Sequence, residues 1–341
     1  MTRVVEEALV HYGEITRAAA ASYLEDAGEA AGLRDLVADY PSRGGKAIRP
    51  ALCLATCVAF GGTLDDALPT AVAIELLHNA FLVHDDVEDG SLLRRGAPTL
   101  NARYGEAVAV NVGDALALVA MAPLRDNRRT LSARMAALIA EEFDTMARRT
   151  VEGQATELSW RRGNRVDLTP DDYLDLVLRK TCWYTTIHPL RAGAVIGSWG
   201  HAPLDDLVRF GFHLGAAFQI ADDLLNLTGD VERYGKEALG DLFEGKRTLM
   251  VIHLLAVLPP PERSDLVQFL ALERSQRTDA DVRGVLGLMV QWGSLEFARA
   301  FGRGIAEAAH SWYGQAFGHL PPTPESGFVR DLITFMLDRD A

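Results

Sequence analysis

Cysteine is scarce in this 341-residue chain: there are three, Cys53, Cys57 and Cys182, each in apolar surroundings. That excludes a disulfide framework and a paired-cysteine zinc site, and the thiols read as small buried hydrophobes in a reducing compartment. Basic charge is short as well. Lys plus Arg total 34 against 47 Asp plus Glu, a net charge of −13, so the broad cationic surface that nucleic acid requires is missing. Any basic cluster is therefore local and informative. The first residues, Met1-Thr2-Arg3-Val4-Val5-Glu6-Glu7, lack the apolar core of a signal peptide. No uncharged apolar stretch reaches the roughly 18 residues of a spanning helix. The expectation is a cytoplasmic chain with no membrane span. Strand-like alternation is scarce too, and no low-complexity linker divides the chain.

What is present is helix after helix. Ala, Leu and Val recur at three- and four-residue spacing over 3–26, 47–60, 65–89, 106–119, 130–158, 171–199, 204–227, 247–257, 280–292 and 294–317. Thr63 and Asp65 precede one helix and Thr169-Pro170-Asp171-Asp172 opens another. Breakers fall between helices at Pro41-Ser42-Arg43-Gly44-Gly45, Gly61-Gly62 and Pro259-Pro260-Pro261. The spacing predicts an all-α fold with one domain over 1–341, in which 258–341 supplies supporting helices and no chemistry.

One acidic cassette occurs twice. Asn79-Ala80-Phe81-Leu82-Val83-His84-Asp85-Asp86-Val87-Glu88-Asp89 returns as Ala216-Ala217-Phe218-Gln219-Ile220-Ala221-Asp222-Asp223-Leu224-Leu225-Asn226. In each, an apolar run ends in adjacent aspartates, with a third oxygen ligand at the fifth place, Asp89 or Asn226. Residues i and i+4 project from one helical face, so Asp85 lies with Asp89 and Asp222 with Asn226. Two such faces opposed would form a cage of hard oxygen ligands suited to Mg²⁺ and a phosphate. Without a cation, the paired carboxylates would repel and cost desolvation energy. Mg²⁺ held by few carboxylates takes substrate oxygens as further ligands, and a diphosphate also needs cationic donors. These occur in clusters: Lys46 and Arg49 at a helix start, Arg94-Arg95 just beyond Asp89, Lys180-Thr181, Lys236, and Lys246-Arg247. Singly each reads as a solvated charge; flanking both cassettes in an acidic chain, together they read as a diphosphate site.

Over roughly residues 40 to 250 these motifs resemble the trans-isoprenyl diphosphate synthases (polyprenyl synthetases). The matching elements are Gly44-Gly45-Lys46-Ala47-Ile48-Arg49-Pro50, then Asp85 to Gly96 with its Arg94-Arg95-Gly96, then Lys180-Thr181. Phe218 to Asp223, Gly235-Lys236 and Asp241 to Thr248 follow. The resemblance implies a helical bundle around a central cavity, the isoprenoid synthase fold, and a homodimer. It implies Mg²⁺-dependent head-to-tail condensation of isopentenyl diphosphate with an allylic diphosphate (dimethylallyl, geranyl or farnesyl). About three Mg²⁺ ions are expected per site, with Mn²⁺ able to substitute. Asp85, Asp86 and Asp89 with Asp222 and Asp223 would be the metal residues. Arg94, Lys180 and Lys246 would stabilise the departing diphosphate, with Lys236 in the same catalytic group. Lys46, Arg49, His78 and Arg95 would seat isopentenyl diphosphate, and Thr181 and Gln219 would lie near the reacting carbons. Asn226 departs from the family's aspartate and trades a charge for a neutral oxygen ligand.

The growing tail is expected to run down the helix before Asp85, past Phe81, Ala80 and Leu77. An isoprene unit is similar in length to one helical turn, about 5.4 Å. In relatives of this type, aromatic rings at the first two of these positions accompany a 15-carbon product. Ala80 removes one ring, so 20-carbon geranylgeranyl diphosphate is expected, with farnesyl diphosphate as the alternative. Two rival functions stay open: a class I terpene cyclase, which needs no second diphosphate site, and a non-catalytic subunit of a heteromeric synthase, which would lose metal ligands. Glu75-x-x-His78 and Glu307-x-x-His310 imitate a di-iron spacing. Gly240 to Lys246 imitates a phosphate loop, but Arg247 stands where Ser or Thr must bind metal. His84, His188 and His213 read as core or surface residues, and Gln154 beside Gly153 reads equally as a cavity amide or a surface one.

Overall fold

The computed structural model describes residues 2–28, 32–229 and 237–337. It is 81% helical with about 1% strand, the all-α class that the periodicity predicts. The long helices are Thr2–Glu25, Ile48–Ala59, Leu64–Asp89, Glu106–Val119, Ala133–Arg162, Leu204–Thr228 and Ser294–Phe317. Thr63 and Thr169 each accept from a backbone N–H three residues on, and Asp66 and Asp172 return a carboxylate to the cap's own N–H. Gly90, at φ 62°, ends the first acidic helix in the left-handed conformation that a side chain disfavours.

The differences from the spacing have local causes. Pro260 starts the helix Pro260–Ala271 instead of breaking one, because a first-turn residue needs no N–H partner. The helices Leu33–Ser42 and Pro324–Leu337 were not legible in the periodicity. The segment expected as one helix over 171–199 has three parts: α-helix Pro170–Val177, a wider π-helical stretch Leu178–Ile187, and α-helix His188–Gly197. Trp183, Tyr184, Thr185, Thr186 and Ile187 are consecutive aromatic or β-branched residues that crowd an α-turn. Pro189 follows without an N–H to donate. Leu93–Arg94 and Ala97–Pro98 form a small antiparallel hairpin. Its turn residues Arg95 and Gly96 both have positive φ, 54° and 75°, as a two-residue hairpin of this twist requires.

The helices pack as a bundle. Leu204–Thr228 lies along both Ser294–Phe317 and the π-helical stretch, and Ile48–Ala59 lies along His188–Gly197. At that second crossing, Cβ atoms added to Gly193 and Gly197 would fall 2.3 and 2.2 Å from the carbonyl oxygens of Cys53 and Cys57, so only glycine allows the approach. Buried hydrophobics form two clusters, and Trp183 and Ile305 pack against both. The region after 258 feeds each of them, through Phe317 and Val329 on one side and Leu270 and Val285 on the other.

Two helices are long and apolar enough to cross a membrane by length and composition: Leu64–Asp89, 67% buried in its apolar window, and Glu106–Arg129, 39% buried. The first is explained by the core. The second leaves an apolar face outward, with Val110 42% and Leu118 72% exposed.

Candidate active site

The two acidic helices deliver their C-terminal turns to one cavity of about 540 Å³. Phe81, Leu82, Leu158 and Phe218 give it apolar walls, and Asp85, Asp222 and Asp223 sit at its polar end with Lys180 and Lys246. Arg49, His78 and Arg95 line the same space. Twelve of the expected site residues therefore meet at one cavity: these eight, Phe81, Arg94, Thr181 and Gln219.

Cations surround the first acidic face. Asp85 has the Lys180 ammonium at 3.4 Å and Arg94 at 3.6 Å. Burial pushes its carboxyl up, but Lys180, Lys246 and Arg94 outweigh that and hold it below the ordinary carboxylate range. Asp89, 2% exposed, lies 2.7 Å from the Lys246 ammonium and pairs with Arg161. Burial is again overcome by Lys246 and Lys180, and its carboxyl stays ionised. Lys246 also pairs with Glu244 at 2.6 Å, and Lys180 pairs with Glu157. Both ammonium groups are driven up by these carboxylates against the cost of burial, so they remain charged.

Asp86 points elsewhere. It is fully buried outside the cavity lining, accepts from Tyr40 Oη at 2.5 Å, and takes a bidentate grip from Arg94. Its carboxylate fixes Arg94, which the hairpin turn brings back over the helix end. Arg95, beside it, donates to the Tyr40 carbonyl at 2.9 Å and to Asn79 Oδ1 at 3.3 Å. On the second helix, Asp223 is 6% exposed and accepts from Tyr173 Oη at 2.8 Å and Gln219 Nε2 at 2.7 Å. Burial, followed by Asp241, pushes its carboxyl well up. Thr181 Oγ1 donates to Gln219 Oε1 at 2.8 Å, so Thr181, Gln219, Asp223 and Tyr173 form one hydrogen-bonded chain.

Three expectations are corrected. Asn226 is no oxygen ligand: its Oδ1 accepts the Asp241 backbone N–H at 3.1 Å, and Asp241 itself lines the cavity. Ala80 does not form the tail wall: it is fully buried in the core and outside the cavity lining. Lys46 lies outside the lining, with its ammonium 5.7 Å from the Phe335 ring centroid. Lys236 falls outside the described residues. The phosphate-loop imitation is a single helical turn, Gly240–Glu244, and His84 turns to Asp114 at 3.3 Å rather than to Asp85.

Several participants were missed. Glu157 and Arg161 lie on the long helix Ala133–Arg162 with Gln154, which lines the cavity and donates to Glu88. Their signal was a polar stripe, Thr150, Gln154, Glu157 and Arg161, at the spacing where an inward face should be apolar. Arg274 and Arg277 come from the region assigned no chemistry. Arg277 donates to the carbonyls of Phe243, Leu270 and Leu272, and Arg274 pairs with Glu237 and reaches Glu244 at 3.6 Å. Together they hold the loop that presents Lys246. Among the described residues no three His, Cys, Asp or Glu side chains converge into a ready metal cluster. The donor set still fits a hard cation, because Asp85 and Asp222 are carboxylates on opposed helices lining one cavity.

A cavity with apolar walls, carboxylates from two helices and flanking cations defines an all-α enzyme for phosphorylated apolar substrates. The chain matches the polyprenyl synthetase family across residues 31–289 and belongs to that family. It is a prenyltransferase, an isoprenyl diphosphate synthase that elongates prenyl chains. It is 33% identical over 238 residues to the geranylgeranyl diphosphate synthase of Saccharolobus solfataricus, covering 70% of this chain and 71% of that protein. It is also 33% identical to the all-trans-nonaprenyl-diphosphate synthase (geranyl-diphosphate specific) of Rhodobacter capsulatus, covering 87% and 86% of the two chains. A solved polyprenyl synthase from Caulobacter crescentus, complexed with calcium and isoprenyl diphosphate, superposes with a TM-score of 0.85 at 28% identity and covers 98% of each chain.

Proposed function

We propose that this chain condenses isopentenyl diphosphate with an allylic diphosphate, head to tail and with Mg²⁺, to give geranylgeranyl diphosphate. The observation that carries the reading is that one cavity is lined by more cations than one diphosphate needs: Lys180 and Arg94 close to Asp85 with Lys246, and in addition Arg49, joined to His78, and Arg95. A cyclase has no use for the additional cations, and a non-catalytic subunit has no use for both carboxylate arms. Asp85, Asp89 and Asp222 would hold the metal, which when bound neutralises diphosphate charge so that it can leave. Asp86 serves as the anchor of Arg94, and Asp223 orients Gln219.

This chain's own residues do the rest. Lys180 and Lys246, fixed by their carboxylates, are cations already aimed at the polar end, and such preorganised charge favours departure of an anion. Phe81, Leu82 and Phe218 exclude water from the allylic cation left behind. Thr181 and Gln219, locked to each other, are set beside the reacting carbons. The 20-carbon product is supported by relatives of that activity and by a single aromatic at the wall position of the first helix, Phe81. The outward apolar face of Glu106–Val119 supports a homodimer, and the three free buried cysteines support a cytoplasmic location.

The test is turnover of an allylic diphosphate with and without isopentenyl diphosphate, followed by chain-length analysis. Products formed only with both substrates and Mg²⁺, and lost in Asp85→Ala plus Asp222→Ala, support the reading. So does Mg²⁺ uptake by calorimetry with a non-hydrolysable prenyl diphosphate analogue. Turnover without isopentenyl diphosphate would make the chain a cyclase, and a 15-carbon end product would make it a farnesyl diphosphate synthase.

A further inference from the structure

Each helix that walls the cavity stops contributing at a definable turn. On Leu64–Asp89 the lining runs back to Phe81 and His78, and Leu77 is closed off in the core. On Ala133–Arg162 it runs back to Thr150, with Met146 closed off; on Leu204–Thr228 to Phe218, with Leu214 closed off. The π-helical stretch contributes Lys180, Thr181 and Tyr184, and His188 beyond them is fully buried. The far end of the cavity therefore lies at the level of Phe81 and Tyr184. Their rings meet at a right angle with centroids 6.0 Å apart.

Tyr184 has a second set of neighbours. The Arg49 guanidinium lies over its ring, 4.3 Å from the centroid, and His78 lies 5.7 Å away. Arg49 is itself held by Thr185 Oγ1 at 2.9 Å and His78 Nε2 at 3.3 Å. One ring thus closes the apolar end and also supports the buried Arg49 cation. Such a contact is strongest where water is excluded, and Arg49 is 9% exposed.

We infer that Tyr184 is a specificity-determining residue that couples product length to isopentenyl diphosphate affinity, through its contact with Phe81 on one side and Arg49 on the other. This rests on the proposed function. A tail that grows until it meets the ring pair presses on the residue that positions Arg49, so elongation weakens capture of the next isopentenyl unit as well as running out of space.

Phe81→Ala and Tyr184→Leu separate the two roles. Both remove one ring of the pair, but only Tyr184→Leu removes the surface under Arg49. Tyr184→Leu is expected to lengthen the product by at least one five-carbon unit and to raise KM for isopentenyl diphosphate about tenfold. Phe81→Ala is expected to lengthen the product with that KM changed less than twofold. Tyr184→Phe keeps the ring and should restore the short product and low KM relative to Tyr184→Leu. KM for the allylic substrate and the melting temperature, measured on each variant, report any general loosening of the site. An active parent in which Tyr184→Leu moves only one of the two quantities overturns the coupling, as does Phe81→Ala moving KM as far as Tyr184→Leu. A parent that elongates nothing overturns the functional reading itself.

Discussion

Replacing Gly153 by alanine sets two effects of opposite sign against each other. In a helix interior the change should stabilise by about 1 kcal/mol, because glycine gives up more backbone freedom. The added Cβ, however, would lie 2.3 Å from the Lys180 backbone nitrogen, 2.6 Å from its Cα and 2.8 Å from the Arg179 carbonyl carbon. Ordinary contact begins at 3.4 Å, so the two helices must separate by about 1 Å. All three obstacles are backbone, and no rotamer change relieves them. Overpacking of this kind costs roughly 1–3 kcal/mol, and a backbone clash belongs at the upper end, so the steric effect wins by about 1–2 kcal/mol. The functional loss should be larger. The displaced segment carries Lys180, placed against Asp85 and Glu157, and Thr181, placed against Gln219. A 1 Å misplacement of reacting groups costs on the order of 100-fold in rate. Urea denaturation followed by circular dichroism and kcat for prenyl elongation measure the two effects separately. A Gly153→Ala variant more stable than its parent, with kcat unchanged, would refute the reasoning.

Two further outcomes follow from buried positions. His188 is fully buried with neither ring nitrogen hydrogen-bonded, and burial, opposed by Glu142 and aided by Arg191, lowers its pKa from 6.5 to about 4. The unfolded chain takes up the proton first as pH falls, so the neutral ring's contribution is intact above pH 6.5 and erodes towards pH 4. The loss is about 2 kcal/mol at pH 5; urea midpoints of the parent should fall between pH 7 and pH 5 by more than those of His188→Phe, and equal falls would count against it. Ala80→Phe should overpack the core by roughly 1–3 kcal/mol and leave product length where it was, as thermal melts and product analysis would show; a shorter product would return position 80 to the tail wall.

Most of the fold was legible because its long helices carry clean three- and four-residue periodicity and threonine caps. The capping boxes at Thr63 and Thr169 form at the starts assigned to them. The π-helical stretch was not legible, since the crowded run from Trp183 to Ile187 lowers α-propensity without naming the alternative. Its consequence is functional: the wider turn brings Lys180, Thr181 and Tyr184 to the cavity together. The hairpin turn was hidden for a similar reason. Arg95 is an unusual residue at φ 54°, and the Arg95–Asn79 and Arg95–Tyr40 bonds that hold it are long-range in a way no local pattern records.

The carboxylates show where pattern reasoning misleads. Reading i and i+4 from one face treats every acidic residue of a motif as a ligand, yet adjacent aspartates must point in different directions. Asp85, Asp222 and Asp223 line the cavity while Asp86 does not, and the second aspartate of each pair, Asp86 or Asp223, meets a tyrosine, Tyr40 or Tyr173, and orients a second side chain, Arg94 or Gln219. The same division accounts for Asn226. A carboxylate there would face the Asp241 N–H well but would add a third buried negative charge near Asp223 and Asp241, where burial already raises the Asp223 carboxyl. A neutral amide makes the same hydrogen bond without that repulsion. The second arm thus gives up a charge at the fifth place of its motif and gains a fixed Asp241 at the cavity wall, which a motif read along one helix has no means of supplying.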